Sequence, residues 1–227
     1  MCSDNYPKSE SRETNSCVSQ IDTEVQQIFT EIYSGNQWGD PDSRSGPGSS
    51  VFRTRLIRPA LAQLFKKLGL RSVLDVPCGD FNWMRLVEMS GILYTGADVV
   101  PEIVERNTEL HSNECRRFVH LNMIADPLPS ADLILCRDGL VHLSFSDIAS
   151  TLRRMRSSGA TYLLLTTFDA HLSNLDIATG EWRPLNVLLP PLAFPPPISK
   201  IWDGPRPDST YSDKMLVLYE VADLPTA

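Results

Sequence analysis

The sequence predicts an α/β fold: a mostly parallel sheet of seven strands with helices on both faces. Short apolar runs recur along the chain, each bounded by turn residues, as buried parallel strands require. Segments with apolar residues at helical spacing lie between them, and this alternation implies parallel pairing through crossover helices. The length, 227 residues, suits one domain with a sizeable core.

Residues 1–20 are polar and rich in Ser, Asn and Glu, and are expected to form a disordered tail. A single domain is expected over 21–227. Ile21, Val25, Ile28, Phe29 and Ile32 fall at near-helical spacing, so 21–33 reads as an amphipathic helix. Four glycines and two prolines make 34–50 a loop, and Asn36 and Trp38 within it make it a candidate lid over a ligand. A helix over 52–69 ends at Gly69. The core then runs over 51–221. Strands are expected near 72–77, 93–98, 117–121, 131–136 and 161–168, and helices near 81–89, 101–110 and 146–157. A polar, proline-rich insert covers 169–197. Strands at 198–202 and 214–221, joined by a Gly/Pro/Asp/Ser loop, complete the sheet.

Hydrophobic residues make up 42% and charged residues 22%, an ordinary globular composition. The net charge of −7 disfavours a nucleic-acid surface, and Arg153-Arg154-Met155-Arg156 reads as a solvated helix face. Five scattered cysteines without a C-x-x-C pair predict no metal site. No signal peptide and no apolar run of about 18 residues is seen, so no membrane partner and a reduced, cytoplasmic setting are expected. The oligomeric state is left open.

The chemistry centres on the turn after the first strand, Val73-Leu74-Asp75-Val76-Pro77-Cys78-Gly79-Asp80-Phe81. A second strand, Leu93 to Asp98, also ends in an acid. Acids at the carboxyl ends of neighbouring parallel strands grip a nucleoside, the second accepting hydrogen bonds from a ribose diol. A dinucleotide would require G-x-G-x-x-G and a turn hospitable to pyrophosphate. This turn has one glycine and an added carboxylate, so it suits a cationic ligand. S-adenosylmethionine, with a sulfonium and an ammonium, meets that requirement.

With V-L-D-V-P-C-G-D-F at 73–81, Y-T-G-A-D-V-V at 94–100 and D-L-I-L-C-R-D-G-L-V-H-L-S at 132–144, the chain resembles the class I S-adenosylmethionine-dependent methyltransferases over roughly residues 50 to 221. It looks closest to a subgroup with a P-C-G-D-F-N-W-M first turn. Pro77 and Asp80 stand where the common pattern of the family has glycines. The resemblance implies a Rossmann-like methyltransferase fold whose last two strands form an antiparallel hairpin at the sheet edge. It assigns the ribose to Asp98, with Val99 beside it, and the methionine ammonium to Asp75. Pro77, Gly79 and Asp80 of the first turn and Trp38 of the lid join the cofactor set. Asp80 either faces the sulfonium or caps a helix starting at Phe81. Asn122 is assigned to the adenine amine and Met123 to the adenine face. Arg53, Thr54 or Arg58 is a candidate for the methionine carboxylate.

Arg137, Asp138 and His142 follow the fourth strand, beside the expected position of the transferred methyl group, and form the candidate catalytic set, with Arg137 also reaching the cofactor. Histidine titrates near neutrality and suits a general base; Asp138 orients it or binds substrate. Phe168, Trp182, Arg183 and Asn186 are candidates for the acceptor pocket, Arg183 because its fork suits an anionic group. The expected activity is methyl transfer to a small metabolite or glycan, on a hydroxyl or carboxylate oxygen. An N-methyltransferase, acting on a small molecule or a protein side chain, and a non-catalytic S-adenosylmethionine-binding module are the alternatives.

Overall fold

The strands pair in the order β3-β2-β1-β4-β5-β7-β6. The computed structural model describes residues 20–204 and 210–225, so the tail expected over 1–20 lies, save Gln20, outside the described residues. The strands are β1 (Ser72–Asp75), β2 (Leu93–Asp98), β3 (Arg116–His120), β4 (Leu133–Cys136), β5 (Tyr162–Phe168), β6 (Ser199–Trp202) and β7 (Lys214–Glu220). The helices are α1 (Gln20–Ser34), α2 (Ile57–Leu68), α3 (Pro101–His111) and α4 (Phe145–Ser157). Strands β1 to β5 pair in parallel, whereas β7 is antiparallel to both β5 and β6.

Alternation of side chains across the strands builds two cores. Leu74, Ile134, Leu163, Leu165 and Val217 face one side and pack with Val25 of α1 and with Ile148, Leu152 and Met155 of α4. Val73, Leu133, Leu135, Leu164 and Leu216 face the other and pack with Ile57, Leu61 and Phe65 of α2. Central strands buried on both faces read as the unbroken apolar runs seen in the sequence. The helix ends follow local chemistry. Gly69 closes α2 at φ 62, Pro101 opens α3, and the Ser144 hydroxyl caps α4 by accepting from the Asp147 amide.

Two expectations fail. Residues 81–89 do not form a crossover helix; a single 3-10 turn at Met84–Leu86 stands there. Phe81 takes a left-handed φ of 56 and is fully buried. Its ring packs against Tyr94, His111 and Phe118 at centroid distances of 5.1–5.3 Å. Phe81, Trp83, Met84 and Val87 are all buried, so their spacing reflects a loop enclosed by core rather than one face of a helix. The helix expected over 52–69 is split into a 3-10 turn at Arg53–Arg55 and then α2. Cys78 and Cys136 are free and buried. No helix among the described residues is long and apolar enough to cross a membrane.

Candidate active site

The parallel strands all point their carboxyl ends toward one edge of the sheet, and a cavity of about 950 Å³, counting its open mouth, lies there. Asp75 at the end of β1 and Asp98 at the end of β2 line it, with Pro77 and Gly79 between them and Val99 just beyond. Asp98 is buried and accepts from the Gly79 amide at 3.0 Å and the Val100 amide at 3.0 Å. The Gly79 hydrogen bond ties the first turn to the end of β2. Burial raises the Asp98 carboxyl to about 6, against the opposing pull of those amides. Asp75 is buried too and accepts from the Tyr94 hydroxyl at 2.6 Å. Burial lifts it to about 7, although Tyr94 and Arg137 pull the other way.

Asn122 and Met123, after β3, line the same cavity. The Asn122 side-chain oxygen accepts from the Ile124 amide at 3.0 Å. The loop expected as a lid spans the cavity mouth and is pinned to the first turn. The Ser43 hydroxyl donates to Asp80 at 2.8 Å, the Asp80 amide donates to the Ser45 hydroxyl at 2.8 Å, and Asn82 donates to Asp42 at 3.2 Å. Asp80 is therefore a tether for this loop. It lines neither cavity of the site, and there is no helix at Phe81 for it to cap. Gly79, at φ 56, lets this loop close, because a Cβ there would strike the Ser45 side chain.

Arg137 and Asp138 follow β4. Arg137 is buried and grips Asp203 with two bonds of 2.9 and 3.0 Å, while also donating to the Gly48 carbonyl at 2.8 Å. Its guanidinium lies 4.9 Å from the Trp83 ring centre. Lys214, the first residue of β7, donates to Asp138 at 2.6 Å and pairs with Asp203 at 3.0 Å. Burial alone would raise the Asp138 carboxyl, but Lys214 and Arg137 hold it well below the usual carboxylate range. Asp138 is fixed in a left-handed conformation, φ 58, by its amide bond to the Thr166 hydroxyl.

His142 stands where this cavity meets a second one. The insert after β5 reaches back over it through backbone bonds from Gly180 to His142 and from Arg183 to Val141. That places the Glu181 carbonyl 2.9 Å from His142 Nδ1. A carbonyl only accepts, so Nδ1 carries the proton and Nε2 of the neutral ring keeps its lone pair. The ring packs against Trp38 at 5.1 Å and Phe29 at 6.4 Å. Burial lowers the His142 pKa, with the Glu181 bond and Asp138 acting against it.

The second cavity is lined by Trp38, Arg53, Arg137, Asp138, His142, Phe168, Trp182, Asp203, Tyr211 and Lys214, among others. Phe168 and Trp182, two of the four acceptor-pocket candidates, thus line this cavity. Arg183 and Asn186 do not. Arg183 is buried over the Phe145 ring and donates to the Val141 carbonyl, while Asn186 donates to the His171 carbonyl inside the insert. Both shape the insert and line neither cavity. Thr54 and Arg58 bond to backbone carbonyls of their own segment; of the three candidates for the methionine carboxylate, Arg53 alone lines a cavity, the second one. Lys214, Asp203 and Tyr211 went unnoticed in the sequence, because only antiparallel pairing of Phe168 with Lys214 brings them to this edge.

The charges decide what ligand fits the first cavity. Arg137 is neutralised by Asp203, and Asp138 by Lys214. Asp75 and Asp98 are left without a dedicated cation, which suits a positively charged nucleoside. No cluster of His, Cys, Asp or Glu able to hold a metal occurs among the described residues. The charge deficit gives a testable pH dependence. A carboxyl raised from 3.8 to about 7 contributes stability that is fully present below 3.8 and lost as pH rises through 7. The melting temperature of the ligand-free protein is therefore expected to fall from pH 4 toward pH 7, and Asp75→Asn to flatten that slope. An unchanged slope in the variant, followed by scanning calorimetry, would refute the assignment.

A family model described as a methyltransferase domain matches residues 50–196. No curated protein matches the sequence. Among solved structures, the chain is similar to a Burkholderia thailandensis 1,6-didemethyltoxoflavin-N1-methyltransferase with bound 1,6-didemethyltoxoflavin and S-adenosylhomocysteine. Identity is 15% over 93% of this chain and 92% of that one, with a TM-score of 0.57. It is also similar to the magnesium protoporphyrin IX methyltransferase of Synechocystis PCC 6803 with bound S-adenosylhomocysteine, at 16% identity, 65% and 72% coverage and a TM-score of 0.48. Human N-acetylserotonin methyltransferase, in complex with S-adenosylmethionine, matches at 19% identity, 67% and 42% coverage and a TM-score of 0.46. At these identities the likeness shows the fold. From the family match, the sheet order and the unneutralised acids of the cavity, the chain belongs to the methyltransferase-domain family and is an S-adenosylmethionine-dependent methyltransferase.

Proposed function

We propose that the protein methylates an oxygen atom of a small molecule or glycan, with His142 removing the acceptor's proton. The observation that carries this is the His142 ring at the junction of the two cavities, its Nδ1 proton held by the Glu181 carbonyl and its Nε2 lone pair open. S-adenosylmethionine supplies an activated methyl carbon on a good leaving group. The chain's own task is alignment, exclusion of water and proton removal. Asp98 holds the ribose hydroxyls, Asp75 the ammonium end, and Asn122 with Met123 the adenine. The lid tethered by Asp80, with Trp38 on His142, keeps water from the reacting atoms.

Titration calorimetry tests the donor half of this reading. S-adenosylhomocysteine is expected to bind and NAD not to bind. Asp98→Ala is expected to weaken S-adenosylhomocysteine binding by about 1.5–3 kcal/mol, the range for hydrogen bonds to a charged group. Unchanged affinity in a folded Asp98→Ala protein would remove the ribose from Asp98. Transfer of labelled methyl to nitrogen acceptors alone would refute the oxygen acceptor.

A further inference from the structure

Three of the aromatic rings that line the second cavity form one cluster. Phe168, Trp182 and Tyr211 pack edge to face, with centroids 5.9 Å, 5.6 Å and 4.9 Å apart. Phe168 is buried and anchors the group at the end of β5, while Trp182 and Tyr211 remain 41% and 43% exposed. Two large rings held in fixed orientation by a third, with their outer surfaces open, leave apolar area unburied beside a cavity. Trp38, which packs on His142, also lines this cavity.

Four charged groups of the same cavity are spent on one another, while Arg53 and Thr210 stand outside that network. Arg137, Asp138, Asp203 and Lys214 bond one another. A sugar entering here would bring many hydroxyls and find few free partners, and each unpaired buried hydroxyl disfavours binding. One hydroxyl is easily served: His142 Nε2 is open to accept its proton.

From these rings and this single free base, and resting on the oxygen-methylation reading above, we infer that the acceptor is a planar aromatic small molecule bearing a phenolic hydroxyl, seated against Phe168, Trp182 and Tyr211 with its oxygen toward His142. Acid strength supports the choice. A phenol titrates near 10, whereas water, close to an aliphatic alcohol, titrates at about 15.7. The His142 ring, weakened as a base by burial, is far better matched to the phenol. In the reaction the phenolic oxygen bonds to the methyl carbon as the carbon–sulfur bond breaks. The electron pair of that bond returns to sulfur, which leaves as a neutral thioether, and the phenolic proton passes to Nε2 and then to solvent.

The test uses the full chain saturated with S-adenosylhomocysteine, whose binding is checked first and reports on the donor site alone. Naphthol, decahydronaphthol and methyl glucoside are then titrated in, followed by calorimetry and by quenching of tryptophan fluorescence. Naphthol is expected to bind about tenfold more tightly than its saturated counterpart, the upper range for ring-on-ring contact. Trp182→Ala and Trp182→Leu should lose that preference, and Leu175→Ala, at an exposed position, should keep it. Equal or tighter binding of decahydronaphthol or methyl glucoside, or a preference that survives in both Trp182 variants, overturns the inference. Labelled methyl entering methyl glucoside and not naphthol overturns it while leaving oxygen methylation standing; label entering naphthylamine alone overturns both.

Discussion

Replacing His142 with alanine is expected to slow methyl transfer by about 10²–10⁴-fold while leaving S-adenosylhomocysteine affinity unchanged, the usual contribution of a positioned general base. The split follows from geometry. His142 touches the first cavity at its junction with the second, whereas the groups assigned to the nucleoside lie on β1, β2 and the turn after β3. The pH profile of turnover provides a second readout. The active form is the neutral ring, so the rate should fall as pH drops through the His142 pKa, which burial places below 6.5. At and above neutrality the profile should be flat with respect to this group. Single-turnover rates and titration calorimetry on the wild type and His142→Ala settle the matter. Full activity in the variant would leave alignment as the source of catalysis.

Arg137→Ala is expected to destabilise the fold by about 3–5 kcal/mol, because it removes one partner from a buried ion-pair network. Asp203, with its side chain only 2% exposed, would keep Lys214 as its one close cation. The Gly48 carbonyl would lose its donor, so the loop that carries it should loosen together with the fold. Arg137→Lys retains the charge but not the two-pronged grip on Asp203 and should fall between the wild type and the alanine variant. Urea denaturation measures the first effect, and hydrogen exchange over residues 43–50 the second. A loss of stability below 1 kcal/mol, or exchange in that loop equal to wild type, would show that the network does not act as described.

The sheet was legible because its central strands are continuous apolar runs, a pattern that burial on both faces demands. The acids Asp75 and Asp98 were legible because strand ends are marked by the turns that follow. Other features depend on contacts distant in the chain. Phe81, Trp83, Met84 and Val87 are spaced like one face of a helix, yet each is enclosed by core, and periodicity does not separate these cases. Arg183 reads as an anion clamp from its chemistry, but it lies over Phe145 as a buried prop. Lys214 carries no local signal at all, since its role arises from the strand register that sets it opposite Phe168.

That register bears on how the molecule is made. β7 inserts between β5 and β6 although it follows both in the chain. As a polypeptide grows from its amino end, β5 emerges with an open edge, and β6 has no neighbour to join. Arg137 and Asp138 likewise wait for Lys214. The exposed edge of β5 is a template for unwanted pairing throughout that interval. One late strand therefore closes the sheet, docks its outermost member and completes the charge network at the carboxyl edge in a single event, so a nascent chain stalled before Lys214 is aggregation-prone and lacks that network.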